Sequence, residues 1–218
     1  MDCQLMWPSW RAPTGLGNMP QTSHDRLIKR EIAMTDKDTN PQSPETITLG
    51  GGCFWCTEAV YVGVKGVLDV ESGYCNGQTL QPSYEQVCTG TTGHNEVVKL
   101  VFDPAQISLR EVLEIFFVIH DPTTLNRQGN DSGTQYRSGI YYTSPAQAEV
   151  ARTVMAEMAQ SGTYDRPLVT EVLALSNYSA AEGYHQDFFA NNPNQGYCMA
   201  VAAPKVTKFR KTFARLSK

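Results

Sequence analysis

From residue 45 onward, short β-branched runs alternate with helix-opening patterns, and few architectures absorb that alternation in a chain of 218 residues. Residues 46–49 read as a short strand running into Gly50, Gly51 and Gly52, and residues 67–74 as a second. Residues 96–102 (Glu-Val-Val-Lys-Leu-Val-Phe) are β-branched and end at Asp103-Pro104, a turn signal. Residues 139–143 and 168–175 are also strand-like. Ser108, with Glu111 three positions later, is a capping-box pattern that predicts a helix to about His120. Ser144-Pro145-Ala-Gln147 opens another, with proline at its first position, ending near Gly162. Ser179 and Glu182 repeat the capping pattern and predict a last helix through Phe189. Beyond Pro193 the chain reads as largely irregular, and no internal repeat is present. The expectation is the α+β class, with a single domain over residues 46–218. It would hold a mixed β-sheet packed by helices, followed by an irregular C-terminal stretch.

Residues 1–45 lack this pattern. Pro8, Pro13, Pro20, Pro41 and Pro44 recur among Ser, Thr, Asn and Gln with no sustained apolar period, the composition of a mobile polar tail. Met34 opens Met-Thr-Asp-Lys-Asp-Thr-Asn-Pro, so translation is expected to begin there naturally, with residues 1–33 dispensable. The net charge of −4 gives no basic footprint for nucleic acid or an anionic membrane. The most apolar stretch, residues 112–119, is interrupted by Glu114 and far too short to span a bilayer. Asp2 stands where a signal peptide would be basic, and Arg11 and Arg26 are too sparse for a transit peptide. The cytoplasm is the expected compartment.

The six cysteines, at 3, 53, 56, 75, 88 and 198, are too few and scattered for a disulfide scaffold. Cys88 is assigned to inert burial, Cys75 is left open, and Cys3 lies in the tail. Cys53 is different. It follows three glycines, which free the backbone to turn, and precedes a helical pattern through Ala59, Val60 and Tyr61. A cysteine at a helix N-terminus meets unpaired N–H groups and the positive end of the macrodipole, which favour an anion. The setting is expected to lower its pKa from about 8.5 toward the reactive thiolate. Phe54 and Trp55 are placed to wall an apolar pocket beside the sulfur.

Cys53 and Cys56 also form a C-x-x-C pair. Zinc would need a second close pair, which the sequence lacks, so no metal is expected. Thiol–disulfide exchange and burial of both thiols in a core face stay open. Cys198 follows Pro193 and Gly196 in a flexible-looking stretch, where a mobile second thiol would meet a sulfenic acid on the first. An inert C-terminal cysteine is the alternative. Tyr84, Glu96, Asp131 and Tyr136 are unremarkable by residue type. Glu58 would sit on a different helical face from Cys53. His94, His120 and His185 are rival bases in a papain-like arrangement, among which spacing does not choose. Residues 121–136 form a long polar segment with Gly129 and Gly133 bracketing Asn130, Asp131 and Ser132, which reads equally as a shaped loop presenting polar groups or as a solvated linker.

Taken together, several motifs resemble peptide methionine sulfoxide reductase A. They are Gly-Gly-Cys-Phe-Trp (51–55), Ser83-Tyr84-Glu85, Thr92-Gly93-His94-Asn95-Glu96, residues 128–137, Tyr184-His185-Gln186, and Asn192-Pro193 through Tyr197-Cys198. They occur in the family's order and span about residues 47–198. The resemblance implies that Cys53 attacks the sulfoxide sulfur, that Phe54 and Trp55 hold the substrate methyl, and that Glu96 protonates the sulfoxide oxygen. It implies that Tyr84 and Tyr136 bind that oxygen and that Asp131 orients the substrate. Cys198 matches the recycling cysteine and would close a disulfide with Cys53, with Cys56 the lesser candidate; many relatives carry glycine at that second position.

The chemistry agrees with the resemblance. A thiolate displaces oxygen from sulfur only once the oxygen carries a proton, so Glu96 must be protonated near neutrality, which a water-poor pocket favours. The expected enzyme reduces methionine-S-sulfoxide, free or in oxidised proteins, without metal or organic cofactor, and thioredoxin regenerates it. It would be a cytoplasmic monomer that repairs oxidative damage, built on a ferredoxin-like two-layer core. A general thiol–disulfide exchanger and a non-catalytic sulfoxide-binding module are the alternatives.

Overall fold

The strands read from the β-branched runs join one sheet in the computed structural model, which describes residues 43–218. The expected start at Met34, Cys3 and most of the polar tail lie outside these residues. In chain order the elements are β1 (Glu45–Gly51), α1 (Phe54–Tyr61), β2 (Val67–Cys75), α2 (Tyr84–Cys88), β3 (Asn95–Phe102) and α3 (Leu109–Ile119). There follow β4 (Arg127–Gln128), β5 (Asp131–Ser132), β6 (Ser138–Tyr142), α4 (Pro145–Gln160), β7 (Glu171–Ala174), β8 (Ser179–Ala180), α5 (Phe188–Asn191) and α6 (Ala203–Thr212).

The main sheet has the order β7-β6-β1-β3-β2-β8, while β4 and β5 pair in a separate hairpin. All neighbours in the main sheet are antiparallel except β6 and β7. Within it, β1-α1-β2 and β3-α3-β6 are two interleaved β-α-β units in the order β6-β1-β3-β2, the split arrangement of a ferredoxin-like core. The α+β expectation therefore holds, with a mixed sheet as foreseen.

One face of the sheet presents Ile47, Leu49, Val98, Leu100 and Phe102 to α1, α3, α4 and α6, and these form the main apolar core. Cys75, Val97 and Tyr141 form a smaller cluster, covered by Leu175 and Tyr178. The capping boxes explain where helices begin. Ser108 Oγ accepts from the Glu111 N–H while Glu111 reaches back to the Ser108 N–H, opening α3, and Ser144 accepts from Gln147 to open α4.

Two expectations fail. Ser179 pairs with Tyr74 as part of β8, and Glu182 accepts the Tyr84 N–H at 2.8 Å and the Tyr74 hydroxyl at 2.9 Å instead of closing a cap. The chain there forms a 3-10 turn, Gly183–His185, and then the short α5. Nor is the C-terminal stretch irregular: a π turn, Cys198–Ala202, runs into α6. That helix is held because Val206 and Phe209, one turn apart, are buried, each worth roughly 1.5–3 kcal/mol in such a setting. Beyond it, Lys65 N–H donates to Leu216 O at 2.7 Å and Lys218 N–H to Gly63 O at 2.9 Å, tying the end of the chain to the turn after α1.

The register decides where chemistry can occur. Gly51 pairs with Ser138 and Tyr74 with Glu96, so the C-terminal ends of β1 and β2 meet the N-terminal ends of β3 and β6. Cys53, Tyr84, Glu96 and Tyr136 all leave from this one end of the sheet.

Candidate active site

The site begins where β1 gives way to α1. Gly52 has φ +87°, and a side chain there would place its Cβ 2.5 Å from Gln128, so only glycine lets the hairpin approach. Cys53 is the N-cap of α1. The first N–H of that helix, Phe54 N–H, has no partner within the helix and instead donates to Glu96 Oε2 at 3.3 Å. One helix terminus thus carries the cysteine and holds the acid.

Glu96 is 1 % exposed, and its Oε1 has no hydrogen-bond partner among the described residues. Burial pushes its pKa up to about 8, the Phe54 N–H opposes the shift, and the charges of Asp131 and Cys56 add to it. Near pH 7 the carboxyl is therefore largely held as the acid. The result is a buried O–H with no acceptor among the described residues. Tyr84 and Tyr136 are half-buried beside it; burial and the Glu96 charge raise both phenols and keep them as donors.

The expectation of a low-pKa Cys53 is overturned. Cys53 is 8 % exposed, and burial pushes its thiol well up, helped by its hydrogen bond to Cys56 and by the Cys56 and Glu96 charges. The helix terminus does not overcome this: the Cys53 side chain makes no capping hydrogen bond to it, and the Cys56 N–H goes to Cys53 O instead. Cys56 goes the other way: the hydrogen bond with Cys53 lowers it, although burial opposes. The two thiols therefore titrate as a pair and not as independent groups.

Trp55 is fixed on two sides. Its indole N–H donates to His185 Nδ1 at 3.0 Å, and its ring stacks on Phe188 with centroids 3.7 Å apart and planes 7° from parallel. Phe54 lies beneath, against Tyr74 and His185. Phe188 is presented by a turn that Glu58 holds: its carboxylate accepts the Asp187 N–H at 3.0 Å, the Phe188 N–H at 3.1 Å and the Ser72 hydroxyl at 3.2 Å. As expected, Glu58 does not face Cys53, but it braces the wall that does.

Tyr197 closes the remaining side. Its hydroxyl donates to Asp131 Oδ2 at 2.6 Å, the Cys56 thiol lies 3.9 Å from it, and its ring meets Trp55 edge-on. The resemblance drew attention to Tyr197 only as the neighbour of Cys198. Phe188 carried no signal, since its role depends on a stack across the fold.

None of the three histidines hydrogen-bonds a thiol among the described residues, so the papain-like arrangement fails. His185 serves Trp55. His120 lies between Phe116 O and Ser138 Oγ, with its pKa pushed down to about 3 by burial, and His94 Nε2 meets Thr79 O. Cys198, expected to swing freely, is fully buried in the π turn; burial raises its thiol, and the next influence on it is Cys56. Cys88, expected to be buried, is exposed, while Cys75 is buried away from the site. The five described cysteines are all free thiols. Among the described residues, no group of three or more His, Cys, Asp or Glu is arranged to hold a metal ion, and no helix is long and apolar enough to cross a membrane.

Comparison with known proteins agrees with this arrangement. The sequence model of the family described as "Peptide methionine sulfoxide reductase" matches residues 45–217. A peptide methionine sulfoxide reductase MsrA of Polynucleobacter asymbioticus is 55 % identical over 179 residues, 82 % of this chain and 94 % of that protein. The MsrA of Trichodesmium erythraeum is 53 % identical, covering 78 % of this chain and 96 % of its own. Among solved structures, reduced Mxr1 of Saccharomyces cerevisiae superposes with a TM-score of 0.66 at 36 % identity, over 73 % of this chain and 91 % of that one. Methionine sulfoxide reductase A of Corynebacterium diphtheriae gives 0.61 at 36 % identity, over 72 % and 78 %. The chain belongs to the peptide methionine sulfoxide reductase A family, whose members reduce methionine sulfoxide.

Proposed function

We propose that this reductase acts on the S epimer of methionine sulfoxide, free or in proteins, by direct attack of Cys53 on sulfur. The observation that carries the mechanism is the buried Glu96, protonated near neutrality and with one oxygen left without a partner. The substrate methyl rests against Trp55 and Phe54, and Asp131 orients the substrate. The sulfoxide oxygen accepts from Glu96 and from the Tyr84 and Tyr136 hydroxyls, as in any preorganised site for developing negative charge. As that oxygen takes the Glu96 proton, the Cys53 sulfur supplies the electron pair. The Cys53 sulfur bonds to the substrate sulfur, and the hydroxyl passes from that sulfur to Cys53. The sulfur–sulfur bond breaks with its electron pair going to methionine, leaving Cys53 as a sulfenic acid. The ionised Glu96 recovers its proton from the Cys53 thiol or from solvent.

Cys198 then displaces water from the sulfenic acid to give a Cys53–Cys198 disulfide, and thioredoxin reduces it, with no metal or organic cofactor. This reading includes a cytoplasmic monomer that repairs oxidised proteins. A second reading of the recycling step has a specific observation behind it: the Cys53 and Cys56 thiols lie close enough that each shifts the other's titration, whereas Cys198 is buried in its turn. Peptide mapping after one turnover without reductant separates them, because a Cys53–Cys56 bridge would displace Cys198 from first place. The mechanism itself is tested by reductant-dependent turnover of the two sulfoxide epimers, resolved by chiral chromatography. Loss of the S epimer alone is expected; consumption of neither, with thiols still titratable, would sink it.

A further inference from the structure

A cavity of about 360 Å³ opens beside the site, between residues 128–131 and the face carrying Tyr197, Val201 and Lys205. It is continuous with the reaction site, because Asp131 and Tyr197 belong to both and Tyr197 reaches the thiol pair. The cavity lies at the lower end of the roughly 300–1,000 Å³ of ligand pockets, enough for a residue or two of substrate. Gly129 leaves it open: a side chain there would meet nothing within 4 Å. A methionine side chain whose sulfur lies at Cys53 leaves its main chain outside the aromatic pocket, and this cavity is the adjoining space.

The chemistry of the lining is specific. Gln128 and Asn130 contribute amides, Asp131 an acceptor for N–H groups, and Lys205 the single cation of this lining. Lys205 is half-buried on α6, and among the described residues its ammonium has neither an ion-pair nor a hydrogen-bond partner. A half-buried cation lining a largely apolar cavity is satisfied by an anion that the ligand brings.

We propose that this cavity is a subsite for a carboxylate carried by the substrate next to its oxidised methionine. The inference rests on the reading above, in which the sulfoxide is reduced at Cys53. The carboxylate has two sources: the α-carboxylate of methionine sulfoxide itself, or an acidic side chain beside the oxidised residue in a protein.

Three substrates separate these sources: the neutral N-acetylmethionine sulfoxide N-methylamide, N-acetylmethionine sulfoxide, and an amidated N-acetyl dipeptide with aspartate after the sulfoxide. Their kcat/KM values are compared in the wild type, Lys205→Met and Lys205→Glu at saturating dithiothreitol. The wild type should favour a charged substrate over the neutral amide, and that ratio should fall about 3- to 5-fold in Lys205→Met, the size of a partly exposed ion pair, and further in Lys205→Glu. Added salt should shrink the wild-type preference. Taking ratios removes any general effect of the substitution on the thiols. Whichever charged substrate loses its advantage identifies the source. Ratios unchanged in both variants would overturn the subsite, whereas a wild type that fails on all three substrates, the neutral amide included, would overturn the underlying mechanism instead.

Discussion

Glu58 and Glu96 are nearly equally buried, at 2 % and 1 % exposed, yet the protein treats them in opposite ways. Glu58 is surrounded by donors, two main-chain N–H groups and a hydroxyl. Glu96 is given one, Phe54 N–H, and keeps an oxygen without a partner. Burial raises both, but Glu58's three hydrogen bonds each pull its pKa back down, while Glu96 has a single opposing bond and further charges pushing it up. A carboxyl with its acceptor sites filled is a structural joint. One left short of partners holds a proton ready to give away.

The sharpest way to break this comparison is Glu96→Gln. It removes the transferable proton and should lower kcat by about 10²–10⁴-fold, the usual worth of a positioned general acid. In the wild type the acid form is lost as pH rises through about 8, so kcat should decline there. Stability follows the same group. Its folded pKa lies above the unfolded one, so the folded state holds the extra proton, and stability is full below about 4.5 and declines as pH rises from there through 8. Thermal melts of the wild type against Glu96→Gln across that window should diverge; parallel curves would return Glu96 to an ordinary role.

Glu58→Gln tests the other half. An amide NH₂ would face an N–H that needs an acceptor, which should cost about 1–3 kcal/mol in denaturant unfolding. The rate loss should be far smaller than that of Glu96→Gln; an equal loss would erase the distinction. The smallest effect should come from Phe188→Leu, which keeps the anchor but removes the stack on Trp55, worth roughly 0.5–1.5 kcal/mol. It should appear as a KM increase of about 2- to 10-fold with kcat nearly unchanged.

Local signals made much of this fold legible. Ser108 with Glu111, and Ser144 with Gln147, cap helices through contacts three residues apart, so neighbouring residues suffice to find them. The same pattern at Ser179 and Glu182 misled, because the Tyr84 N–H and the Tyr74 hydroxyl claim Glu182 from about a hundred residues away. The C-terminal helix was hidden because only Val206 and Phe209 of α6 are buried among lysines and arginines, too sparse an apolar period to read. At the site, order and motif singled out Cys53, Glu96, Tyr84, Tyr136 and Asp131. The acid's unpaired oxygen, the pairing of the thiols and the Trp55–His185–Phe188 brace are products of tertiary contact that no linear pattern encodes.

The anchor on Glu58 has one further consequence, for redesign. It grips the peptide N–H groups of Asp187 and Phe188 and not their side chains, so at position 188 it excludes only proline, while the left-handed φ of 52° at position 187 keeps that residue to aspartate, asparagine or glycine. Position 188 is thus a replaceable panel on a fixed frame. Bulkier or slimmer side chains would resize the wall behind Trp55 while the chain stays clamped, offering a route to reductases for sulfoxides with groups larger than methyl.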